Sequence, residues 1–179
     1  MVANVSGNSL GLGSTSFTTL GRDGILGNAP QGRGGEGAYV NLSNGNLVLQ
    51  RRDEYVAGVG QGAEFVRTYN SQGLMNNAWS FGMQRKGLQI QLGSTPETTT
   101  IIRTDQDGAQ TRYSWDVASS RYVNTDGAGA YDTLQQSGSD WIWTDGKTRI
   151  TERYDTAGVL RSSSDAAGNA TTFIYNAQG

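Results

Sequence analysis

The sequence contains neither cysteine nor histidine. Without cysteine it has no disulfide and no thiolate metal site, and without histidine it lacks the commonest general base and zinc ligand. A Ser-His-Asp triad is therefore excluded, and a Ser-Lys dyad would have only Lys86 and Lys147 to draw on. We expect a protein that is not an enzyme and that needs no cofactor and no metal.

Concentrated charge and long apolar runs are missing as well. The 14 basic and 16 acidic residues give a net charge of -2 and are scattered along the chain, which is not the electrostatic footprint of a nucleic-acid-binding protein. No run approaches the eighteen or so apolar residues of a membrane span. The first residues carry neither a basic cluster nor an apolar run, so we expect no signal peptide in this chain.

Proline is scarce, at 2 residues, whereas glycine is abundant, at 26 of 179. Many permissive turns and no helical periodicity predict an all-β fold, an antiparallel β-hairpin meander. Residues 1–37 are dominated by Gly, Ser, Asn and Thr, which is typical of an irregular lead-in. That segment is expected to be a linker or a strap, some of whose apolar residues dock on a neighbouring surface.

The first strong hairpin signal is Asn44-Gly45, because both central residues of a type I′ turn need positive φ. A two-residue loop there pairs Leu42 with Leu47 and Val40 with Leu49, which places four apolar residues on one face. A further strand is predicted over residues 63–70.

Three Asp-Gly pairs follow, at Asp107-Gly108, Asp126-Gly127 and Asp145-Gly146, separated by 19 residues each time. Aspartate tolerates turn conformations and binds local amides, so we interpret these acids as turn residues rather than catalytic groups. Two-residue loops predict the pairs Tyr122–Tyr131, Arg121–Asp132 and Trp141–Ile150. The same loop at Asp107 would place Arg103 opposite Arg112, so that hairpin has either a longer loop or arginines that extend outward.

A repeat occupies the last part of the sequence. Tyr154-Asp155, followed by Gly158, returns as Tyr175-Asn176, followed by Gly179, at a period of 21 residues, and Leu160, Asp165, Gly168 and Asn169 lie between the copies. A fixed period near twenty residues indicates units that bury their apolar faces only by stacking on neighbours. We expect Tyr154 to be packed against the sheet, and we expect residues 171–175 to form an open edge strand through which the chain self-associates.

These features resemble the segment that opens the repeat shell of Rhs or YD-repeat proteins. The matching segments are residues 40–47, 67–71, 79–81, 125–131 and 143–146, which lead into the repeat at Tyr154. The resemblance implies the opening section of a spiral β-shell, with a hairpin domain over 38–153 and the first YD repeat and the start of the second over 154–179. It also implies a secreted bacterial polymorphic toxin, or one delivered by a secretion system, whose shell encloses a C-terminal toxin domain.

Two functions of different class follow. In the first, the chain is a non-enzymatic structural module whose partners are the remainder of the shell and its toxin. In the second, it is a cell-surface or glycan-binding β-sheet module that uses exposed aromatic rings. Trp141 and Trp143 share one face of a strand, and we expect them to pack in the core; their exposure would favour the second function.

Overall fold

The computed structural model describes residues 17–19, 37–41, 45–58, 62–72, 79–81, 87–106, 110–124 and 131–176. Within these ranges the regular secondary structure is β-strand, apart from one 3-10 turn at Pro96–Thr98. The strands are β1 (Phe17–Thr19), β2 (Gly37–Asn41), β3 (Leu47–Val56), β4 (Ala63–Asn70), β5 (Trp79–Phe81), β6 (Gly87–Gln91), β7 (Thr100–Thr104), β8 (Gln110–Asp116), β9 (Arg121–Val123), β10 (Thr133–Ser137), β11 (Asp140–Thr144), β12 (Thr151–Tyr154), β13 (Leu160–Ser164) and β14 (Ala170–Thr172).

The strands form two sheets, and in each sheet every strand lies beside its neighbours in sequence. The first sheet contains β1 to β5 and the second contains β6 to β14, with antiparallel pairing throughout. The predicted all-β antiparallel meander is therefore confirmed. Among the described residues no helix is long and apolar enough to cross a membrane.

The register of the first hairpin differs from the prediction. Val40 pairs with Leu47, not with Leu49, so β3 has moved by two residues relative to a two-residue loop. Asn46, just before β3, is fully buried and accepts hydrogen bonds at Oδ1 from Ser71 Oγ and Gln72 N. A buried amide needs such partners, so these bonds connect the start of β3 to the turn after β4. Leu42 and Asn44 lie outside the described residues, and Gly45 has φ +71°.

The predicted strand over residues 63–70 is confirmed as β4. The lead-in was expected to be irregular, but its residues 17–19 form β1, which pairs with β2 through Phe17–Asn41, Thr18–Val40 and Thr19–Tyr39. Strand β2 itself begins at Gly37, the last residue assigned to the lead-in. Strand pairing with β2 thus orders part of a segment whose composition alone is typical of a linker.

The second sheet contains the hydrophobic core. Successive strands each contribute the residues of one face, as period-2 alternation requires: Leu88, Ile101, Tyr113, Tyr122, Leu134, Trp141, Trp143, Tyr154 and Leu160 are all buried. Tyr122 lies edge-on to both Trp115 and Trp141, with ring centroids 5.1 and 5.7 Å away. Such contacts favour close packing of large rings beyond the area they bury.

The second sheet curls until its first strand meets one of its last turns. Gly87 forms an antiparallel bridge with Val159, which lies between β12 and β13, and Leu88 N donates a hydrogen bond to Gly158 O at 2.9 Å. A bulge helps the chain to turn here, because Arg161 is an extra residue opposite the junction of Arg153 and Tyr154 and bulges bend a sheet. The curled sheet is therefore stabilised by contacts between β6 and the turn before β13, in addition to the pairing of adjacent strands.

Two of the predicted hairpin registers are wrong because the loops are longer than two residues. Tyr122 pairs with Leu134 rather than Tyr131, which is 84% exposed, and Trp141 pairs with Tyr154 rather than Ile150. Both observed registers place core residues opposite each other. Arg121 pairs with Asp116 of the preceding strand, β8, and not with Asp132. Asp126 and Gly127 lie outside the described residues.

At the remaining Asp-Gly hairpin the longer loop is confirmed, and of the two arginines Arg112 is exposed whereas Arg103 is buried. Ile102 pairs with Arg112 and Arg103 pairs with Thr111, so the two arginines do not face each other. Arg103 is only 4% exposed. Asp107 and Gly108 lie outside the described residues.

The final strand is shorter than residues 171–175. It ends at Thr172, although Phe173 N still donates to Arg161 O at 2.9 Å. Ile174 is 93% exposed, so the chain leaves the sheet one residue after the strand.

Candidate functional site

The turn after Tyr154 is built by one carboxylate. Asp155 Oδ1 accepts hydrogen bonds from the backbone N–H groups of Ala157 and Val159, each at 2.9 Å. Two backbone hydrogen bonds complete the turn, one from Gly158 N to Asp155 O at 2.9 Å and one from Asp155 N to Val159 O at 3.0 Å. Gly158 has φ +80°, a conformation that glycine adopts without steric cost. Aspartate and glycine are thus both required for this five-residue turn.

The same turn recurs ten residues later. Asp165 Oδ1 accepts from Ala167 N and Asn169 N, each at 2.9 Å, and Gly168 has φ +87°. Asn169 adds a side-chain bond to the other carboxylate oxygen, from Nδ2 to Oδ2 at 2.8 Å. One strand followed by one such turn is therefore the structural unit, and the 21-residue sequence period spans two units. The shorter spacing is visible in the sequence as Asp-Thr-Ala-Gly and Asp-Ala-Ala-Gly.

A longer variant of this turn joins β11 to β12. Asp145 Oδ1 accepts from Lys147 N and Thr148 N, but the residue with positive φ is Arg149, at +62°. Gly146 instead lies against Tyr131, where an added Cβ would come within 2.5 Å of its atoms. Asp145 therefore occupies a turn, and the glycine after it is needed for close packing rather than for backbone conformation.

Hydrogen bonds to these carboxylates hold them in the charged state. Slight burial raises the pKa of Asp155, but bonds from Val159 N and the Arg161 side chain outweigh it and hold the pKa below its usual value. The bond from the Asn169 side chain lowers the pKa of Asp165. A carboxylate with a depressed folded-state pKa stabilises the fold above its unfolded pKa, and the stabilisation is lost as the pH falls through the folded value. Both turns therefore hold at neutral pH and weaken in acid.

Gly158 differs from Gly168 in its surroundings. A Cβ at Gly158 would collide with the backbone oxygen of Leu88, whereas nothing lies within 4 Å of a Cβ at Gly168. Gly158 O is also the acceptor for Leu88 N. The turn at Asp155 therefore packs directly against strand β6, whereas the turn at Asp165 has no such close contact at its glycine.

We expect Gly158→Ala to destabilise the protein markedly more than Gly168→Ala. Both substitutions place alanine at positive φ, which costs about 1–2 kcal/mol, but only the first also forces Leu88 away from the turn. The difference between the free energies of urea unfolding of the two variants measures the contribution of the contact between Gly158 and Leu88. Equal losses would mean that the turn at Gly158 does not contact β6 in solution.

Tyr154 lies in a buried charged network beneath this turn. Its hydroxyl donates to Glu152 Oε2 at 2.5 Å and accepts from Arg103 Nε at 3.2 Å. Arg103 also donates to Glu152 Oε2 from Nε at 3.1 Å and from Nη2 at 2.8 Å. The three side chains are almost fully buried, Tyr154 and Glu152 at 0% and 1% exposure. Burial of an ion pair is tolerated only where its atoms are bonded in this way.

Aromatic side chains complete the network. The Arg103 guanidinium carbon lies 3.7 Å from the centroid of the Trp143 ring, a cation–π geometry. Trp143 Nε1 donates to the Tyr113 hydroxyl at 2.8 Å. β7, β8, β11 and β12 are thus joined through side chains as well as through backbone bonds.

Burial dominates the titration of the two tyrosines. It raises the pKa of Tyr154 well above its ordinary value, although the positive charge of Arg103 acts in the opposite direction. It raises the pKa of Tyr113 in the same way. Both hydroxyls therefore remain protonated at physiological pH and serve as hydrogen-bond groups. Burial also raises the pKa of Asp132, which accepts a bond from Gly146 N at 2.9 Å.

The prediction that Tyr154 packs in the sheet is confirmed, since it is fully buried. Leu160 lies opposite it, also at 0% exposure. Tyr175 is half-buried and lies outside any strand. Its ring centroid is 5.6 Å from Arg161 Cζ. Gly179 lies outside the described residues. Sequence reasoning did not identify Arg103, Glu152 or Tyr113 as members of the same site.

Trp141 and Trp143 are both buried, at 3% and 5% exposure. This confirms that they pack in the core and removes them as an exposed binding platform. Half-exposed rings occur instead on one face of the first sheet, where Phe65 lies 4.8 Å from Phe81 and Tyr69 lies 5.8 Å from Trp79, centroid to centroid. Phe65, Trp79 and Phe81 are 46%, 48% and 40% exposed.

The side chains of this site interact mainly with one another. Its acidic and basic groups bond to one another, and in the described part of the chain no group of three or more acidic residues is placed to hold a metal ion. What the arrangement provides is a fixed connection between distant strands.

Residues 37–113 match the model of a family described only as a domain of unknown function, DUF6531. The match spans less than half of the chain. It begins with β2 and ends within β8, so it includes parts of both sheets and stops before the Tyr-Asp turns. No curated protein matches the sequence.

Proposed function

We propose that this chain is a non-enzymatic structural module, the N-terminal part of an Rhs or YD-repeat shell that encloses a C-terminal toxin in a secreted bacterial protein. The proposal rests on the sequence resemblance given above and on one structural observation, the recurrence of the same Asp-Gly turn at Asp155 and Asp165. A strand followed by this turn can be added to a sheet edge repeatedly, which is what a continuous wall requires.

The buried network supports the same function. Arg103 and Glu152 are 49 residues apart in sequence, and Gly158 is seated on the first strand of the curled sheet. A curved shell wall needs contacts that hold its curvature. The network and the seating contact provide them.

The alternative function, recognition of a glycan or a cell surface, receives no support from Trp141 and Trp143, because both are buried. If the chain has such a role, the half-exposed rings of the first sheet are the candidates, since exposed aromatic faces suit stacking against a ligand.

The shell proposal can be tested with the complete protein that the gene encodes. We expect its reading frame to carry further Tyr-Asp units and its C-terminal domain to resist protease while the shell is intact. Gly158→Ala in that protein is expected to expose the C-terminal domain to cleavage, and Gly168→Ala serves as the matched control. A reading frame without further units, or a C-terminal domain that is cleaved equally in all three proteins, would contradict the proposal.

A further inference from the structure

Two acids lie side by side at the open end of the hairpin formed by β10 and β11. Thr133 pairs with Thr144, so the next residues outward, Asp132 and Asp145, leave the sheet at neighbouring positions. Like charges at such positions are unfavourable. Burial raises the pKa of Asp132, and the charge of Asp145 raises it further. Asp132 is therefore placed at an electrostatic cost, and its hydrogen bonds indicate what it does there.

Asp132 holds a peptide group of the neighbouring turn. Its Oδ1 accepts a hydrogen bond from Gly146 N at 2.9 Å. The carbonyl of the same peptide group, Asp145 O, accepts from Arg149 N at 3.1 Å. The peptide plane between Asp145 and Gly146 is thus fixed at both of its polar groups, and one of the two bonds comes from a side chain that lies outside the turn.

This peptide plane belongs to a chemically sensitive linkage. Aspartate followed by glycine is open to backbone isomerisation, because glycine has no side chain to shield its nitrogen. In that reaction Gly146 N forms a bond to Asp145 Cγ and loses its proton, and the carboxyl group loses its hydroxyl, so that water leaves and a succinimide ring remains. When water then opens the ring at the backbone carbonyl, the chain continues through the side-chain carbonyl as isoaspartate, with no net change in mass.

The fold cannot avoid the sensitive linkage by a simple change of residue. A Cβ at Gly146 would come within 2.5 Å of atoms of Tyr131, so packing requires glycine at this position. The same lack of a side chain leaves the nitrogen of Gly146 unshielded. Protection has to come from a neighbouring group.

We propose that Asp132 protects the Asp145–Gly146 linkage from isomerisation by holding its peptide plane. Ring closure requires an eclipsed arrangement about the Cα–Cβ bond of Asp145. It also requires the peptide plane to rotate out of the allowed regions of φ/ψ space. That rotation breaks the bond from Gly146 N to Asp132 and the bond from Arg149 N to Asp145 O.

The reacting carboxylate is held as well. Asp145 Oδ1 accepts from Lys147 N at 2.7 Å and from Thr148 N at 2.6 Å, and both bonds break if the side chain turns toward Gly146 N. Burial raises the pKa of Asp145, but the hydrogen bonds from Thr148 N and Lys147 N outweigh it and hold the pKa below its usual value. The carboxylate stays ionised, and an ionised carboxylate has no hydroxyl to lose as water.

Ageing of the full chain at physiological temperature and neutral pH tests the proposal. Peptide mapping by mass spectrometry, with fragmentation that distinguishes aspartate from isoaspartate, reports the reaction at residue 145, and the parent chain held in guanidinium gives the unprotected rate. We expect isoaspartate to form at least about tenfold faster in Asp132→Ala than in the folded parent, because one hydrogen bond to a charged group is lost. Asp132→Asn keeps an acceptor oxygen and should stay close to the parent.

Asp140→Ala is the matched control, because it removes an acid from the other end of the same hairpin, where Asp140 bonds to Arg153. It should age like the parent. Equal rates in the parent and Asp132→Ala, or a rate in Asp132→Asn as high as in Asp132→Ala, would overturn the proposal.

Hydrogen exchange gives a second measurement that needs no ageing. We expect the Gly146 amide to be protected in the unmodified chain and to exchange rapidly in Asp132→Ala, while the amides of β11 stay protected in both and show that the variant is folded. Rapid exchange of the Gly146 amide in the unmodified chain would overturn the proposal, even if Asp132→Ala does not fold. The protective role goes beyond the proposed shell and uses only the geometry of this hairpin, so its failure would leave the shell untouched.

Discussion

Replacing Tyr154 with alanine is expected to lower the free energy of unfolding by about 3–5 kcal/mol, the range for truncation of a buried aromatic ring. The ring is fully buried and lies opposite Leu160 in the core. Its loss leaves a cavity, and it also removes the hydroxyl that donates to Glu152 and accepts from Arg103. Both effects act in the same direction.

Two further variants separate the contributions at Tyr154 in chemical denaturation. Tyr154→Phe keeps the ring and removes the hydroxyl, and we expect it to cost about 1–3 kcal/mol because the buried network loses the hydroxyl's hydrogen bonds to Glu152 and Arg103. Tyr131→Ala truncates a tyrosine that is 84% exposed and should change stability by no more than about 0.5 kcal/mol. A loss of that small size for Tyr154→Ala would place the tyrosine outside the core.

The class of fold and several strands could be predicted because they depend on local chemistry. Abundant glycine, two prolines and period-2 alternation suffice for an antiparallel meander, and β4 has the bounds that its sequence indicates. Registers were less predictable because they depend on distant residues. Asn46 connects the start of β3 to Ser71, 25 positions away, and no pattern within the hairpin reveals that partner.

The candidate site was also found only in part. Tyr154 and Asp155 stand out because they recur in sequence, whereas Arg103 and Glu152 meet only after the sheet curls. A signal was nevertheless present. Glu152 is two residues from Tyr154 and so shares its face of the strand, and a carboxylate on a buried face needs a cationic partner. The partner itself follows only from the curled sheet, since 49 residues separate Arg103 from Glu152.

The second large effect on the free energy of unfolding is expected at the buried ion pair of Arg103 and Glu152. Arg103→Met removes the cation that Glu152 bonds in the buried network, whereas Glu152→Leu removes the buried carboxylate but keeps Asp105, whose Oδ2 lies 3.5 Å from Arg103 Nη1. Arg103→Met is expected to cost about 3–5 kcal/mol, because removing one partner of a buried ion pair is strongly destabilising. Glu152→Leu is expected to cost less, because Asp105 still lies beside the guanidinium. The Arg103→Met/Glu152→Leu double variant should recover most of the loss, since an apolar replacement of similar volume needs no charged partner.

An exposed pair on the neighbouring residue supplies the control for this cycle. Arg153 forms an ion pair with Asp140, and its side chain is 61% exposed, so Arg153→Met should cost no more than about 1 kcal/mol. Denaturant unfolding of the four variants and the parent gives the coupling energy between Arg103 and Glu152 directly. We expect the double variant to be far more stable than the sum of the single losses indicates. Additive losses would mean that the two side chains do not interact in solution, and the curled sheet would then have to be held by its backbone contact at Gly158 and by the core alone.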